Sequence, residues 1–577
     1  MFRFTLFLYC LSVSTLVTAQ DVEGFFSTIS QRISNKEYVT VSGRFGANAA
    51  LSAFLTDDDD PLAAARRAAP FTWSANAGLN FDILGIQAPF TAAFSSQNAT
   101  YNLPSYSFVG LSPTYKWITL HGGDRSMTFS PYSLSGINYR GAGLELTPGK
   151  FSFRAMTGKL RRARIQDIGS IQDIETAIER RGTGVELGFQ SDKGSTAKVS
   201  FFTSRDELQS NSSELDSTLN LSPEHNTVLA LSLSHKVSKL INFSTELAQS
   251  VLTRDTRLPT LADANGRTRQ FGLVQPNGST TASRAAKVAI GFSPTFGNFQ
   301  LAFERIDPEY RTHGSLYFQN DTENITASYA APLIGEKLSL STNIGVQRND
   351  LNGQKANNLR RFIGAVNLGM AFSERVNSSF SASNFISTNR FKAIALTSPL
   401  VDSIVLAQTQ LSINANTTVV LNEASTQLLS IAANWQRAGL IRNEVLDTSS
   451  RSSFALLMLN YTYQPQEGGA AWTATLTTNY NQTAGLNLIT VGPTLGYNRK
   501  ILNDQGSLRT GATYNVVYAE DQPAAGGALQ LTLGGGYQLG KRQQISLNTT
   551  AISVGAGAGR RGYTDVRLSL GYGYSFN

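Results

Sequence analysis

Cysteine is almost absent from this chain of 577 residues. The single cysteine, Cys10, lies in an apolar N-terminal stretch that has the form of a secretory signal. Arg3 precedes this stretch, and the small residues Val17 and Ala19 suit a cleavage site, so residues 1–19 are expected to be removed after export. The exported chain would then contain no disulfide, and a protein of this size must be stabilised by other means.

Long apolar runs are the second absence. Beyond the N-terminal stretch no run of 18 apolar residues occurs, which excludes transmembrane helices. The formal net charge is only +8, and no block of lysines and arginines is present. Because a nucleic-acid surface requires clustered positive charge, no nucleic-acid partner is expected.

Motifs for covalent chemistry and cofactor binding are lacking as well. The four histidines are scattered without the spacing of metal ligands. Four aspartates at 57–60 lack the spaced ligands and the glycine of a calcium loop, so a solvated loop tip is the preferred interpretation. Serines near His235 could imitate a hydrolytic Ser–His pair, but no motif accompanies them. The prediction is a protein that is not an enzyme and holds neither metal nor cofactor.

The chain is instead rich in alternation of apolar and polar residues. In "LRTGATYNVVY", Leu508, Tyr514 and Tyr518 share one parity, and Leu529 and Leu531 do so in "LQLTLGGGYQL". Such segments are strands with one apolar and one polar face, and their lengths suit a tilted membrane crossing. By this criterion the chain contains about 26 strands, within a range of about 24 to 28.

The links between the predicted strands alternate in length. Long links such as 207–225 and 255–282 are separated by short ones such as 191–194 and 373–376. Short turns at one end and long loops at the other are typical of an outer-membrane barrel, and an even number of strands puts both termini at the short-turn end. A propeller or tandem sandwiches would need repeats or linkers that the sequence lacks.

The predicted fold is therefore all-β, with a single closed antiparallel transmembrane β-barrel over residues 38–577. Residues 20–37 are expected to form a short periplasmic segment, and the spacing of its apolar residues suits a helix. Two of the predicted strands lie at 105–120 and 124–131. The apolar parity slips between Tyr139 and Leu144, which predicts a β-bulge nearby.

The C-terminal strand carries an apolar ladder of five residues: Leu568, Leu570, Tyr572, Tyr574 and Phe576. It resembles the sorting signal of bacterial outer-membrane proteins, although Asn577 follows the last aromatic residue. The stretch 111–160 is similar to a block in large uncharacterised outer-membrane barrels of the Bacteroidota, and the similarity extends over 38–163. The resemblance implies an outer-membrane location, with membrane lipid and the barrel-assembly machinery as partners. It supplies no substrate.

Charged residues give the candidate sites. Arg140, Arg154, Arg509 and Arg567 occupy polar-parity positions of predicted strands, where charge should face the lumen or lie near the rim. The longest loop, 255–282, is a candidate constriction or partner-binding loop; its arginines are Arg257, Arg267 and Arg269. Isoleucines at three- and four-residue spacing predict a short amphipathic helix at 165–181.

Two functions remain open at this point. A barrel of about 26 strands encloses more space than its own side chains fill, so it could be a passive or loop-gated conduit for hydrophilic solutes or a larger cargo. Alternatively, loops close the lumen and the barrel anchors or binds a periplasmic, surface or secretion-system protein. Conductance across a bilayer distinguishes the two.

Overall fold

The computed structural model describes most of the chain from residue 39 to residue 576. The described ranges are 39–56, 70–96, 107–163, 177–207, 222–261, 272–391 without 317, 336 and 356, and 404–576 without 423, 425, 443–444, 447–449, 467–468, 484–485, 520–521 and 556–561. The predicted signal peptide, the segment 20–37, the four aspartates, and most of the predicted helix at 165–181 lie outside these residues.

Every named element is a β-strand, and no helix in the described ranges is long and apolar enough to cross a membrane. The strands are β1 Val39–Thr56, β2 Phe71–Ile83, β3 Ile86–Ser95, β4 Phe108–Leu111, β5 Thr114–Tyr115, β6 Ile118–Ser126, β7 Asn138–Leu146, β8 Phe151–Arg161, β9 Glu179–Gln190, β10 Thr196–Glu207, β11 His225–Lys236, β12 Ile241–Thr253, β13 Thr280–Phe292, β14 Asn298–Ile306, β15 Thr322–Leu333, β16 Leu338–Arg348, β17 Asn357–Ser373, β18 Val376–Phe391, β19 Ile404–Val420, β20 Gln427–Arg442, β21 Val445–Leu446, β22 Ser452–Tyr463, β23 Ala470–Thr483, β24 Leu486–Ile501, β25 Gly506–Ala519, β26 Gln522–Leu539, β27 Gln543–Val554 and β28 Tyr563–Phe576.

These strands form one closed antiparallel barrel with a 26-strand wall. The short β4 and β5 together occupy one place between β3 and β6, and β21 only extends the end of β20. The barrel closes where the last strand pairs with the first, with Phe576 opposite Gly43 and Tyr563 opposite Thr56. Closure leaves no sheet edge with unpaired backbone groups. The predicted fold class and strand number are confirmed.

Two faces run round this wall, because residues paired across antiparallel strands point to the same side. Phe202 on β10 is fully buried against loops inside the barrel, and it therefore marks the inner face. The register carries this assignment from strand to strand. On β26 the outer face holds Leu529, Leu531 and Leu533, all exposed, and the inner face holds Gln530 and Thr532. The outer face is therefore apolar along the middle of the strands.

The structure corrects the prediction at the fourth and fifth strands. The chain turns at Lys116, which has a φ of 51°, and β6 ends at Ser126. A turn thus falls within the predicted strand 105–120, and residues 127–131 belong to a loop rather than to a strand. That loop enters the barrel and makes the inner face locally apolar, so alternation in the sequence no longer separates inside from outside.

The bulge predicted near Gly141 or Gly143 is absent from the described pairing for the same reason. The pairing of β7 with β6 and with β8 runs without a register shift. Tyr139 is buried on the inner face, whereas Leu144 lies opposite Ala155 on the outer face. The change of parity arises because the inner face is apolar at the long-loop end of β7.

Candidate functional site

Two loops from the long-loop end lie inside the barrel and contact each other. We call residues 127–137, between β6 and β7, inner loop 1, and residues 307–321, between β14 and β15, inner loop 2. Leu134 and Gly314 form a parallel β-bridge between the loops. Both loops are rich in buried residues, which is unusual for connecting segments and indicates a structural or functional role.

Hydrogen bonds join the two inner loops directly. The Ser135 amide donates to the Gly314 carbonyl at 2.8 Å. The Tyr310 hydroxyl donates to the carbonyl of Tyr132 at 2.7 Å, although these residues are 178 positions apart in the sequence. The loops therefore form one unit, and detaching one would break bonds of the other.

An apolar core attaches this unit to the wall. Leu134 and Tyr310 have no exposed surface. The ring of Phe318 lies 5.2 Å from that of Tyr310 and 6.4 Å from that of Tyr132, measured between centroids. Burying each large side chain contributes about 1.5–3 kcal/mol, so the core alone favours the inward position strongly. The wall residues of the core include Met156, Phe202, Val228, Ala248 and Ala285.

A short hydrogen bond fixes inner loop 1 to the opposite part of the wall. The Tyr132 hydroxyl donates to Glu304 on β14 at 2.5 Å, and the Asn324 amide donates to the second carboxylate oxygen at 3.1 Å. Burial, and then the neighbouring Glu304 carboxylate, raises the pKa of Tyr132 far above its usual value. The phenol therefore stays protonated and acts as a donor.

Inner loop 2 is held by a buried ionic cluster around Glu224. Arg180 and Arg311 donate to its carboxylate at 2.8 and 2.9 Å, and His313 Nε2 lies 3.1 Å from it. The other ring nitrogen of His313 lies 2.9 Å from the Ser204 hydroxyl. With a neutral ring, Nε2–H donates to the carboxylate and Nδ1 accepts from the serine. Arg180 also binds Asp206 through two nitrogens, at 2.6 and 2.8 Å.

Burial decides the protonation of His313, and the ionic partners decide that of Glu224. Burial lowers the pKa of His313 to about 4, so the ring is neutral at pH 7. For Glu224 burial acts to raise the pKa, but the hydrogen bond with His313 and the charges of Arg311 and Arg180 outweigh it and hold the pKa at about 2. The cluster is thus ionised and internally compensated at pH 7.

The structure separates the four predicted arginines. Arg154 faces the lumen, donates to the Thr128 carbonyl at 3.0 Å and lies 3.5 Å from Glu186, so it supports the start of inner loop 1. Arg140 instead lies on the outer face and binds Asp124 through two nitrogens, at 2.7 and 2.6 Å. It lies near the long-loop end of the wall.

The other two predicted arginines face the lumen on distant strands. Arg509 lies opposite Asn498 and Gly534 on the inner face of β25. Arg567 on β28 lies 3.5 Å from Asp565 on the same strand. The four arginines therefore do not form one site.

The predicted loop at 255–282 is described only in part, because Arg267 and Arg269 lie outside the described residues. Arg257 donates to the Asp255 carboxylate at 2.9 and 2.8 Å, so much of its charge is compensated locally. A role of this loop as a constriction or partner site stays a prediction.

The C-terminal ladder forms the closing strand of the wall. Leu568 and Leu570 lie opposite Leu51 and Ala49 of β1, and they pair on the other side with β27. Tyr572 continues the outer face, and the rings of Tyr574 and Phe576 are 4.6 Å apart. A role of this ladder in assembly stays a prediction.

The opposite part of the lumen is lined mainly by uncharged polar residues, and Arg509 on β25 is an exception. On the inner face of β18–β25, hydroxyl and amide side chains bond to one another, as between Asn414 and Ser381 at 3.3 Å and between Thr494 and Thr513 at 2.9 Å. A recess of about 870 Å³ overlaps this part of the lumen and extends along the wall from β14 to β22. Its lining includes Ser341, Asn367, Ser381, Asn414, Asn434 and Leu456.

The inner loops were not identified from the sequence. The predicted strand at 124–131 covers the start of inner loop 1, yet the loop contains Pro131 and Gly136, which interrupt a strand, beside the apolar Tyr132 and Leu134. An apolar segment bounded by such residues is a usable signal for a loop that packs against a core. The half-buried carboxylates Glu224 and Glu304 carried no comparable signal.

The fold and the site together define a closed antiparallel barrel whose lumen is partly occupied by its own loops. No family model and no curated protein matches the sequence. Solved structures similar to the chain include the translocation pore of the P pilus usher PapC, at 11% identity and a TM-score of 0.36, covering 93% of this chain and 100% of that one.

Two further solved structures are similar at the same level. BauA, the ferric preacinetobactin receptor of Acinetobacter baumannii, has 9% identity and a TM-score of 0.36 over 93% of this chain and 80% of that one. The FrpB iron transporter of Neisseria meningitidis has 10% identity and a TM-score of 0.36 over 92% and 82%. Similarity of this degree carries no inference about function.

Proposed function

We propose that this protein is an outer-membrane barrel with its short turns in the periplasm and its long loops outside the cell. The support is the outer face, where apolar side chains such as Leu495, 67% exposed, and Leu533, 52% exposed, would face lipid rather than water. The rings of Trp472 and Tyr497 contact each other near the short-turn end, with centroids 4.3 Å apart, as expected for an interfacial aromatic girdle. A cleaved signal at 1–19 and recognition of the C-terminal ladder by the assembly machinery belong to this proposal.

We infer that the barrel is a conduit for hydrophilic solutes and that its inner loops narrow the lumen. The observation that carries the proposal is the division of the lumen. The inner loops pack against the wall between β7 and β15 at the long-loop end, while a recess of about 870 Å³ runs along the wall from β14 to β22. Hydroxyl and amide groups replace the hydration shell of a polar solute without the cost of an unpaired charge. Selection would follow from width and hydrogen bonding, without covalent chemistry.

A structural anchor is the second candidate, and a specific observation favours it. The inner loops are fixed by a buried core and by the Glu224 cluster, so they are not built as a loosely attached gate. If the long loops close the rest of the lumen, the barrel would serve as a platform for a periplasmic or surface protein.

Conductance of the purified barrel in a planar bilayer tests the two functions. A conduit gives steady conductance, and Asn434→Trp should lower it because the indole fills the recess. Leu495→Trp on the outer face is the matched control and should leave conductance unchanged. A folded but silent barrel would favour the anchor. Equal conductance in both variants would show that the path avoids the polar wall.

A further inference from the structure

Cationic side chains form a row on the outer face of four adjacent strands, at the end that carries the inner loops. In the register of β14 to β17, Arg305 lies opposite Glu323, Glu323 opposite Arg348, and Arg348 opposite Arg360. Paired residues on neighbouring strands lie about 4.5–5.5 Å apart, so three guanidinium groups and one carboxylate share a narrow band.

The carboxylate compensates only part of this charge. Glu323 accepts from Arg305 at 3.0 Å and from Arg348 at 2.7 Å. Asp307, just after β14, also lies 3.6 Å from Arg305, so three positive charges face two negative ones. The side chains of Arg305 and Arg348 are 42% and 53% exposed, so their remaining N–H groups can reach a ligand outside the wall. Like charges side by side are unfavourable unless an anion joins them.

An apolar row lies two residues below the charged one. Phe303, Ile325, Val346 and Phe362 are opposite one another in the same register, on the same outer face. They are between 39% and 53% exposed. A molecule that bound both rows would need anionic groups about 7 Å above apolar chains, given two residues of strand rise.

A second row repeats this arrangement on β7 to β10. Arg140, Lys159, Arg181 and Arg205 are opposite one another on the outer face. Glu179 pairs with Lys159 and Arg181 at 2.7 and 3.1 Å, Glu207 pairs with Arg181 at 3.1 Å, and Asp124 binds Arg140. Four positive charges thus face three negative ones. A threonine row separates it from the apolar residues below: Thr157, Thr183, Thr203 and Thr227.

We propose that these two rows bind the phosphate groups of an outer-leaflet glycolipid, whose acyl chains lie on the apolar rows beneath. Guanidinium groups bind phosphate through two parallel hydrogen bonds, and the apolar row supplies the contact that a soluble phosphate could not use. The inference rests on the proposed outer-membrane location, because only there do such lipids surround the long-loop end of a barrel.

Binding of lipid A in detergent micelles tests the row at β14–β17. The wild-type barrel should bind lipid A with both phosphates at least about tenfold more tightly than the dephosphorylated form. Arg348→Gln combined with Arg360→Gln should abolish most of this preference. Arg499→Gln, an exposed arginine at the short-turn end, is the matched control and should retain it. Circular dichroism confirms that each variant is folded.

Three outcomes overturn the inference. The first is equal binding of both lipids by the wild type, and the second is full retention of the preference by the double variant. The third is displacement of the lipid by millimolar inorganic phosphate, which would indicate an anion site without a lipid partner. Fractionation of the membranes of bacteria that express the protein distinguishes failure of the lipid inference from failure of the proposed function. A barrel recovered in the outer membrane without lipid A preference refutes only the inference, and a barrel absent from that membrane refutes both.

Discussion

Replacing Tyr310 by phenylalanine tests how firmly the inner loops are held. The variant keeps the buried ring but removes the hydroxyl that donates to the Tyr132 carbonyl at 2.7 Å. Tyr310 has no exposed surface, so water cannot replace the lost donor without a rearrangement. Loss of a buried hydrogen-bond partner costs about 1–3 kcal/mol, which corresponds to an increase of about 5- to 150-fold in the population of detached loops.

Hydrogen exchange at the Ser135 amide measures this population, because that amide bonds to Gly314 across the two loops. Tyr310→Phe should accelerate its exchange by the stated factor and leave the amides of β24 unchanged. Tyr537→Phe is the matched control, since that hydroxyl lies 3.4 Å from Gln505 in an exposed position, and it should change neither. Unchanged exchange at Ser135, or an equal rise throughout the wall, would refute the view that the loops form a separately attached unit.

Two other perturbations act on the same unit. Acidification from pH 6.5 to about 4 should weaken packing of inner loop 2 by about 3 kcal/mol. In the detached loop His313 is hydrated and binds a proton below pH 6.5, whereas in the packed loop the buried ring does so only near pH 4. Glu224, with its pKa of about 2, adds to this loss of packing energy only below about pH 4.5. Hydrogen exchange at the Ser135 amide, followed from pH 6.5 to 4, measures the loss, and His313→Gln should remove most of its dependence on pH. Leu134→Ala should cost about 2–5 kcal/mol of loop packing, read by the same amide, whereas Leu495→Ala on the outer face should have almost no effect on it.

Alternation predicted the wall because one physical rule acts along it. Most strands separate an apolar outside from a polar inside, and in Leu508–Tyr518 only Thr510 on the outer face and Val517 on the inner face depart from that rule. The even strand number and closure of β28 on β1 followed from the same regularity and the alternating link lengths. The sequence therefore contained the fold.

The site follows a different rule, which is why the prediction failed there. Where the inner loops fill the lumen, the inside is also apolar, and Tyr139, Met156 and Phe202 point inward. Parity then no longer reports the face. The contacts that position the loops join residues more than 170 positions apart, such as Tyr132 with Glu304, and no local pattern encodes them. Parity likewise did not show on which face Arg140 lies, and the structure places it on the outer face near the long-loop end.

Filling part of the lumen also explains where the inner charges lie. Water leaves the region that the loops occupy, and a charge there must be matched by a partner of opposite sign. Arg180 with Asp206 and Glu224 meets this requirement, with the two carboxylates on one guanidinium. Along the polar wall of β18–β25 the described hydroxyl and amide groups satisfy one another instead, as Asn460 does with Thr475 at 2.8 Å. Arg509 and Arg567 face the lumen beyond the filled part, but between them and that part neutral polar groups predominate on β18–β23. This neutral stretch is the basis for placing a solute path along the wall.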